Sequence, residues 1–245
     1  MPSPPPLGPR TWLRYDLVSR AVDAVRPGNI LDIGCGQGSV GVRLARRARY
    51  LGVEPDARAA EIARGRIAPL GGTVLDGDHR AVPAGRDYDL VCAFEVLEHL
   101  EDDAAMLAVW ASFVRPGGHL LVTVPAWPDR FGPMDVTAGH IRRYTPDQLT
   151  DLIRGAGLEP AQVRLYGWPI AYGLEAVRNA VDAAALARES RDVALAERTA
   201  GSGRRTQPNR ALGAVSAAAV TPFRYLQRLA PRRGVGLVAL ARRPT

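Results

Sequence analysis

Five short apolar runs, separated by stretches with helical spacing, limit this chain more than any other feature. The runs are Asn29–Ile33, Tyr50–Glu54, Gly72–Asp76, Tyr88–Phe94 and His119–Pro125. Continuous apolar runs of this length, bounded by Gly, Pro and Asp, read as buried strands of a parallel sheet. From Thr11 to Val25 the apolar positions recur at helical spacing, and Arg26-Pro-Gly ends that helix. Helical stretches are also expected over Ser39–Ala48, after Glu54-Pro55-Asp56 with Pro55 at the first helical position, over Asp102–Val114, and beyond Thr145. Ala161–Trp168 and the last apolar run, Val235–Leu240, extend the sheet. Strands alternating with helices predict an α/β fold: a Rossmann-like, doubly wound, mostly parallel seven-stranded sheet with a helical insertion before the last strand. In such a sheet ligands bind beyond the carboxyl ends of the strands, here after residues 33, 53, 76, 93 and 124.

Charge narrows the partners. The 245 residues carry 32 basic and 25 acidic groups, and every basic group is Arg. Residues 1–180 hold 20 Arg and 21 acids, net −1, whereas residues 181–245 hold 12 Arg and 4 acids, net +8. The excess is confined to the last quarter, which argues against a nucleic-acid-coating surface. Two cysteines, Cys35 and Cys92, are too few for a disulfide framework and suit a reducing, cytoplasmic setting. The domain division expected is a disordered leader at 1–9, a main domain at 10–168 and 232–245, and a basic helical insertion at 169–231.

The most informative residues are Leu31-Asp-Ile-Gly-Cys-Gly-Gln-Gly38. Gly34, Gly36 and Gly38 let the backbone turn sharply and approach a ligand. Gly36-Gln-Gly38-Ser-Val-Gly41 also fits a dinucleotide-binding pattern, which alone is a weak signal. Three carboxylates argue for another ligand. Asp32, just before the loop, would repel a pyrophosphate and attract an ammonium group. Glu54 ends the second strand, where a carboxylate can accept both ribose hydroxyls. Asp78-His79 follows the third strand, where a carboxylate can take the amine of an adenine. An ammonium, a ribose and an adenine without phosphate describe S-adenosylmethionine (SAM).

This set resembles the class I SAM-dependent methyltransferases, from about Trp12 to Trp168 plus the closing strand. The matching motifs are the Asp32-x-Gly34-x-Gly36-x-Gly38 loop, Glu54-Pro-Asp56, Gly77-Asp78-His79, Phe94-Glu-Val-Leu-Glu-His99, and Leu120-Leu-Val-Thr after Arg115-Pro-Gly-Gly118. The resemblance implies methionine contacts at Gly34, Gly36 and Gly38, a ribose contact at Glu54, and adenine contacts at Asp56 and Asp78. It also draws Cys35, Pro55, His79, Phe94 and Glu95 into the cofactor site. An NAD-dependent oxidoreductase and an inactive SAM-binding partner protein are the competing classes.

Methyl transfer is an in-line displacement that needs a base only if the acceptor arrives protonated. The segment from Pro125 to Asp147 starts where acceptors bind and gathers Asp135, His140, Arg142, Arg143 and Tyr144. His140 is the candidate base, with Asp135 and Tyr144 as its partners. A metal-free reaction is expected. Glu95, Glu98 and His99, spaced i, i+3, i+4, are the set that would hold a divalent ion if they share a helix face, and similar segments serve a metal in some ubiquinone-biosynthesis and small-RNA O-methyltransferases. The Gly139-His-x-Arg-Arg-Tyr-Thr145 run, Trp12 and Arg14, and the Gly236-to-Pro244 ending resemble a bacterial methyltransferase subgroup tied to envelope lipid or sugar metabolism. That implies a small-molecule or lipid- or sugar-linked acceptor and no nucleic acid. Between Arg210 and Ala230, apolar residues mix with Arg210, Arg224 and Arg228, and Pro222 is expected to break any continuous helix. Residues 198–233 are accordingly a candidate for peripheral membrane contact, for a lid over the acceptor, or for helices packed on the domain with Arg facing solvent, and a cytoplasmic location, membrane-associated on the first reading, is expected.

Overall fold

The computed structural model describes residues 4–85, 87–188 and 210–245. Seven strands form one sheet: β1 (Asn29–Ile33), β2 (Arg49–Glu54), β3 (Thr73–Asp76), β4 (Tyr88–Phe94), β5 (Val114–Pro125), β6 (Glu159–Gly167) and β7 (Gly234–Arg242). Their spatial order is β3-β2-β1-β4-β5-β7-β6. β1 to β5 pair in parallel, while β7 runs antiparallel to both β5 and β6. This is the doubly wound, mostly parallel sheet expected. The order reverses between β1 and β4, so the loops after those strands open a crevice at the carboxyl edge.

Neighbouring strand residues serve opposite faces, which is why the runs are apolar throughout. Leu31, Val91 and Leu120 face a core layer with Trp110, Leu149 and Ile153. Ile30, Leu90 and Leu121 face another with Leu13, Val18, Ile67 and Val220. The helices are α1 (Pro9–Val25), α2 (Gly41–Leu44), α3 (Ala57–Ile67), α4 (Asp103–Ser112), α5 (Pro133–Ala138), α6 (Pro146–Gly155), α7 (Ile170–Leu186) and α8 (Arg210–Leu229). None of the described helices is long and apolar enough to cross a membrane.

Four local expectations change. Leu7 is 2% exposed and the Pro5 carbonyl accepts from Arg43 at 2.9 Å, so the described part of 1–9 packs on the body instead of forming a disordered leader. The helix expected over Ser39–Ala48 shrinks to one turn, because Arg47 closes back on the Leu44 carbonyl at 2.8 Å. Pro55 stands before the cap of α3 and not at its first position, since Asp56 is the cap and accepts from Ala59 N–H at 2.8 Å. Pro222 lies inside a continuous α8. A mid-helix proline costs about 3 kcal/mol, and the tertiary contacts of α8 offset it: Val220 is buried and Gln227 bonds to both Leu13 and Gly167.

The insertion expected at 169–231 therefore contributes α7 and α8, with its stretch at 189–209 outside the described residues. Two of its arginines are only partly exposed, by 29% and 26% of their side chains. Arg224 and Arg228 turn inward onto Asp16 of α1, at 3.3 and 2.5 Å, and Asp16 is 2% exposed.

Candidate active site

The cofactor side is built from backbone donors around single carboxylates. The N–H groups of Gly34 and Cys35 both donate to the Val53 carbonyl, at 2.9 and 3.1 Å, which pins the glycine loop to β2. Gly34 and Gly36 adopt φ of +68° and +55°, a region costly for residues with a Cβ. At Gly34 a Cβ would lie 2.6 Å from the Val96 side chain; at Gly36 it would meet nothing within 4 Å. The first glycine is thus required by packing, and the second borders open space in which a ligand can approach the backbone.

Glu54 is not the unpartnered carboxylate its position suggests. Its Oε2 accepts from Gly36 N–H at 2.7 Å and its Oε1 from Asp56 N–H at 3.0 Å. Burial nevertheless raises its pKa against those two hydrogen bonds. Each oxygen retains acceptor capacity for a hydroxyl. Asp32 is 2% exposed. Its Oδ2 accepts from the Tyr50 hydroxyl at 2.7 Å, and its Oδ1 has no hydrogen-bond partner among the described residues. Burial, reinforced by the charge of Glu54, pushes its pKa up to about 7. A buried oxygen in this state favours an arriving cation.

The other expected cofactor residues divide. Cys35 is half-buried, and burial drives its thiol pKa well up, so it serves as filler and not as a nucleophile. Asp78 is engaged locally: it accepts from Arg80 N–H at 2.9 Å and pairs with the Arg80 guanidinium at 2.7 Å, which holds its pKa down to about 2. An adenine amine would have to share this carboxylate with Arg80. His79 lies 3.9 Å from Asp78, and Phe94 packs half-buried against the core layer that includes Ile30 and Leu90. Glu95 adopts φ of +58°, accepts from the Thr123 hydroxyl at 3.0 Å, and pairs with Arg14 at 3.3 Å. Burial would raise its pKa, but Arg14 and Arg10 outweigh this and lower it.

The acceptor side is built from side chains paired with side chains. Asp135 is fully buried. Its Oδ1 lies 2.8 Å from His140 Nδ1, and its Oδ2 accepts from Arg143 Nη2 at 2.7 Å and from Gly132 N–H at 2.9 Å. These bonds outweigh burial and lower its pKa to about 2. Arg143, with no side-chain exposure, continues to Glu175 of α7 at 3.4 Å, and Glu175 also takes Arg130 at 2.9 Å. Beyond His140 lies Glu98, fully buried, with its Oε1 3.7 Å from His140 Nε2 and neither oxygen hydrogen-bonded among the described residues. Burial and the charge of Glu95 raise the Glu98 pKa well above its ordinary value. His99 stands edge-on to His140 at 4.8 Å between ring centroids, with its Nδ1 3.0 Å from the Gly139 carbonyl. Burial and His140 lower the His99 pKa to about 4.

Two expectations about this side are corrected. Glu95, Glu98 and His99 do not share a helix face, because Glu95 is left-handed and Leu97–His99 form a single 3-10 turn. Glu95 goes to Arg14, and His140 takes its place: Glu98, His99 and His140 bring one donor atom each within 4.8 Å of one another. Tyr144 is not part of the His140 group. It is buried, and its hydroxyl donates to Asp103 Oδ2 at 2.9 Å and contacts the Leu97 carbonyl at 3.3 Å. Glu175, Arg130 and Asp103 carry no motif; their partners lie up to 45 residues away, and only the fold joins them.

The sequence pattern of the family described as a methyltransferase domain matches residues 10–163. The chain belongs to the methyltransferase-domain family. Among curated relatives, the ubiquinone biosynthesis O-methyltransferase of Dinoroseobacter shibae is 34% identical over 54% of this chain and 60% of its own length. That of Cereibacter sphaeroides is 32% identical with the same coverage. The chain thus spans about 60% of the length of these relatives. Among solved structures, the [4+2]-cyclase SpnF aligns with TM-score 0.57 and 19% identity, covering 99% of this chain and 98% of that one. The N-methyltransferase NodS of Bradyrhizobium japonicum, solved with S-adenosyl-L-homocysteine, aligns with TM-score 0.57 and 16% identity over 95% and 86%. These structural likenesses show a shared fold.

Proposed function

We propose that this methyltransferase-domain chain transfers a methyl group from SAM to an oxygen of a small-molecule acceptor. The observation that carries the reading is the carboxylate pair at the glycine loop: Asp32 with one buried, unpartnered oxygen, and Glu54 held against Gly36 where the loop faces open space. Asp32 offers a partner for the ammonium group and Glu54 for the ribose hydroxyls, while Asp56 and Asp78 border the adenine end. SAM supplies a methyl group on a sulfonium, open to in-line displacement. The protein's task is to hold an acceptor oxygen in line and to manage its proton.

The group at Asp135, His140, Glu98 and His99 is the candidate for that task. As a base, His140 would be oriented by Asp135 through the 2.8 Å contact at Nδ1. A second reading is favoured by the donor set. One carboxylate and two imidazoles suit a divalent transition ion, and both rings have their Nδ1 anchored, on Asp135 and on the Gly139 carbonyl, as outer partners anchor metal-ligating histidines. Glu98, His99 and His140 would hold the ion, which would lower the pKa of a coordinated acceptor hydroxyl. Turnover that survives chelator treatment supports the base; turnover lost to chelator and restored by a divalent ion supports the metal.

The acceptor class proposed is lipid- or sugar-linked, supported by the Gly139-to-Thr145 run and by relatives named for ubiquinone biosynthesis. A cytoplasmic site of action, with peripheral membrane contact, belongs to the same reading. The test is calorimetric titration with SAM and S-adenosylhomocysteine, followed by a SAM turnover screen on cell-extract fractions. Binding without turnover on any fraction would favour an inactive SAM-binding partner protein, and NAD binding without SAM binding would favour an oxidoreductase.

A further inference from the structure

Helix α8 is apolar on both its covered and its outward side. On its covered side, Arg224 and Arg228 pair with the buried Asp16 of α1. Its outward side carries Tyr225, Leu226 and Leu229, exposed by 60%, 38% and 81%. These positions, i, i+1 and i+4, adjoin one another on the helix surface, and Pro222 is exposed one turn earlier. The covered side also buries Val220 and packs Phe223 on the core, so Tyr225, Leu226 and Leu229 form a second apolar face that nothing among the described residues covers. Immediately after the helix, Arg232 and Arg233 are exposed and make no ion pair among the described residues.

The face lies on the rim of the site. Gln227 accepts from the N–H of Gly167, the last residue of β6, at 2.9 Å. The carbonyl of Gly234, the first residue of β7, accepts from Trp127 Nε1 at 2.9 Å. Both anchor points are at the carboxyl edge of the sheet, and Trp127 belongs to the loop that leads to Asp135 and His140.

We propose that this face docks on the surface of an anionic lipid bilayer and brings the mouth of the site against it. Charge selects the occupant. Two copies meeting on this face would set Arg232 and Arg233 against the same arginines, and the acid beside the helix, Asp16, is already paired with Arg224 and Arg228. An anionic headgroup layer complements Arg232 and Arg233 and lets Tyr225, Leu226 and Leu229 enter the interface. The inference rests on the methyl-transfer reading only for what the membrane delivers, an acceptor with a lipid tail.

The test is co-sedimentation of the full chain at low salt with vesicles of phosphatidylglycerol and phosphatidylcholine in equal parts, against phosphatidylcholine alone. The expected result is sedimentation with the anionic vesicles that weakens as salt rises. Arg232→Gln with Arg233→Gln should weaken partitioning roughly thirty-fold, and Leu226→Ser with Leu229→Ser roughly ten-fold or more. Both double variants should bind S-adenosylhomocysteine like the parent, which separates failure of docking from failure of the cofactor site. No sedimentation at low salt, equal binding to neutral vesicles, or unaltered binding by both variants would overturn the proposal. A parent dimer that the leucine variant disperses would overturn it as well, by making a second copy the occupant.

Discussion

The two sides of the crevice handle buried charge differently. On the cofactor side, Asp32 and Glu54 meet hydroxyl and backbone N–H donors, no described cation pairs with either, and their pKa values rise. On the acceptor side, Asp135 is saturated by His140, Arg143 and Gly132, and its pKa falls to about 2. The first arrangement leaves acceptor capacity for a ligand. At Asp135 the capacity is used internally and fixes His140 and Arg143, while Glu98 beside them has no hydrogen-bond partner among the described residues and its pKa rises. If this contrast holds, substitutions on the two sides should separate into those that cost binding and those that cost stability.

The largest effect should come from the acceptor side. Asp135→Asn leaves Arg143 buried beside a neutral partner, and unfolding by denaturant should show a loss of about 3–5 kcal/mol. Because the folded pKa of Asp135 is depressed, its contribution is complete above the ordinary carboxylate range and fades as pH falls toward 2. The variant's stability should therefore approach the parent's in acid; a constant gap down to pH 2 would count against the ion pair as its source.

Next comes Glu54→Ala. It removes the acceptor for Gly36 N–H and Asp56 N–H and for the ribose, so calorimetry should show SAM affinity reduced by about 2–3 kcal/mol, with the unfolding midpoint moved far less than by Asp135→Asn. Equal losses of stability at both positions would break the contrast.

A smaller effect follows from Asp32. Its carboxyl is protonated below about pH 7, and the ammonium of SAM requires the ionised form. Affinity should thus rise with pH, by about ten-fold between pH 6 and pH 8, with release of a proton on binding at the lower pH. Asp32→Asn should bind more weakly and lose this pH dependence. The smallest effect is expected of Arg80→Ala, whose side chain is 81% exposed and pairs with Asp78. Its unfolding curve should superimpose on the parent's.

The same contrast explains what could be read from the sequence. The strands, the glycine loop and the carboxylates at strand ends depend on contacts within a few residues or between adjacent parallel strands, so apolar runs and Gly spacing are enough to place them. The acceptor side depends on pairs such as Arg143 with Glu175, 32 residues apart, and the packing of α8 on α1 depends on Asp16 with Arg228, 212 apart. No local pattern marks them. Spacing suggested a helix face for Glu95, Glu98 and His99, but the left-handed Glu95 broke that face, and His140 arrived from a different loop. The partners of Glu54 are backbone N–H groups, which the sequence does not distinguish from any others.

The account depends first on what the glycine loop binds. Titration of the full chain with S-adenosylhomocysteine and, separately, with NAD, in parallel with Glu54→Ala, measures this directly. We predict one binding site for S-adenosylhomocysteine, markedly weakened in the variant, and no saturable binding of NAD. Saturable NAD binding with no heat from S-adenosylhomocysteine, or an affinity that Glu54→Ala leaves unchanged, would contradict it.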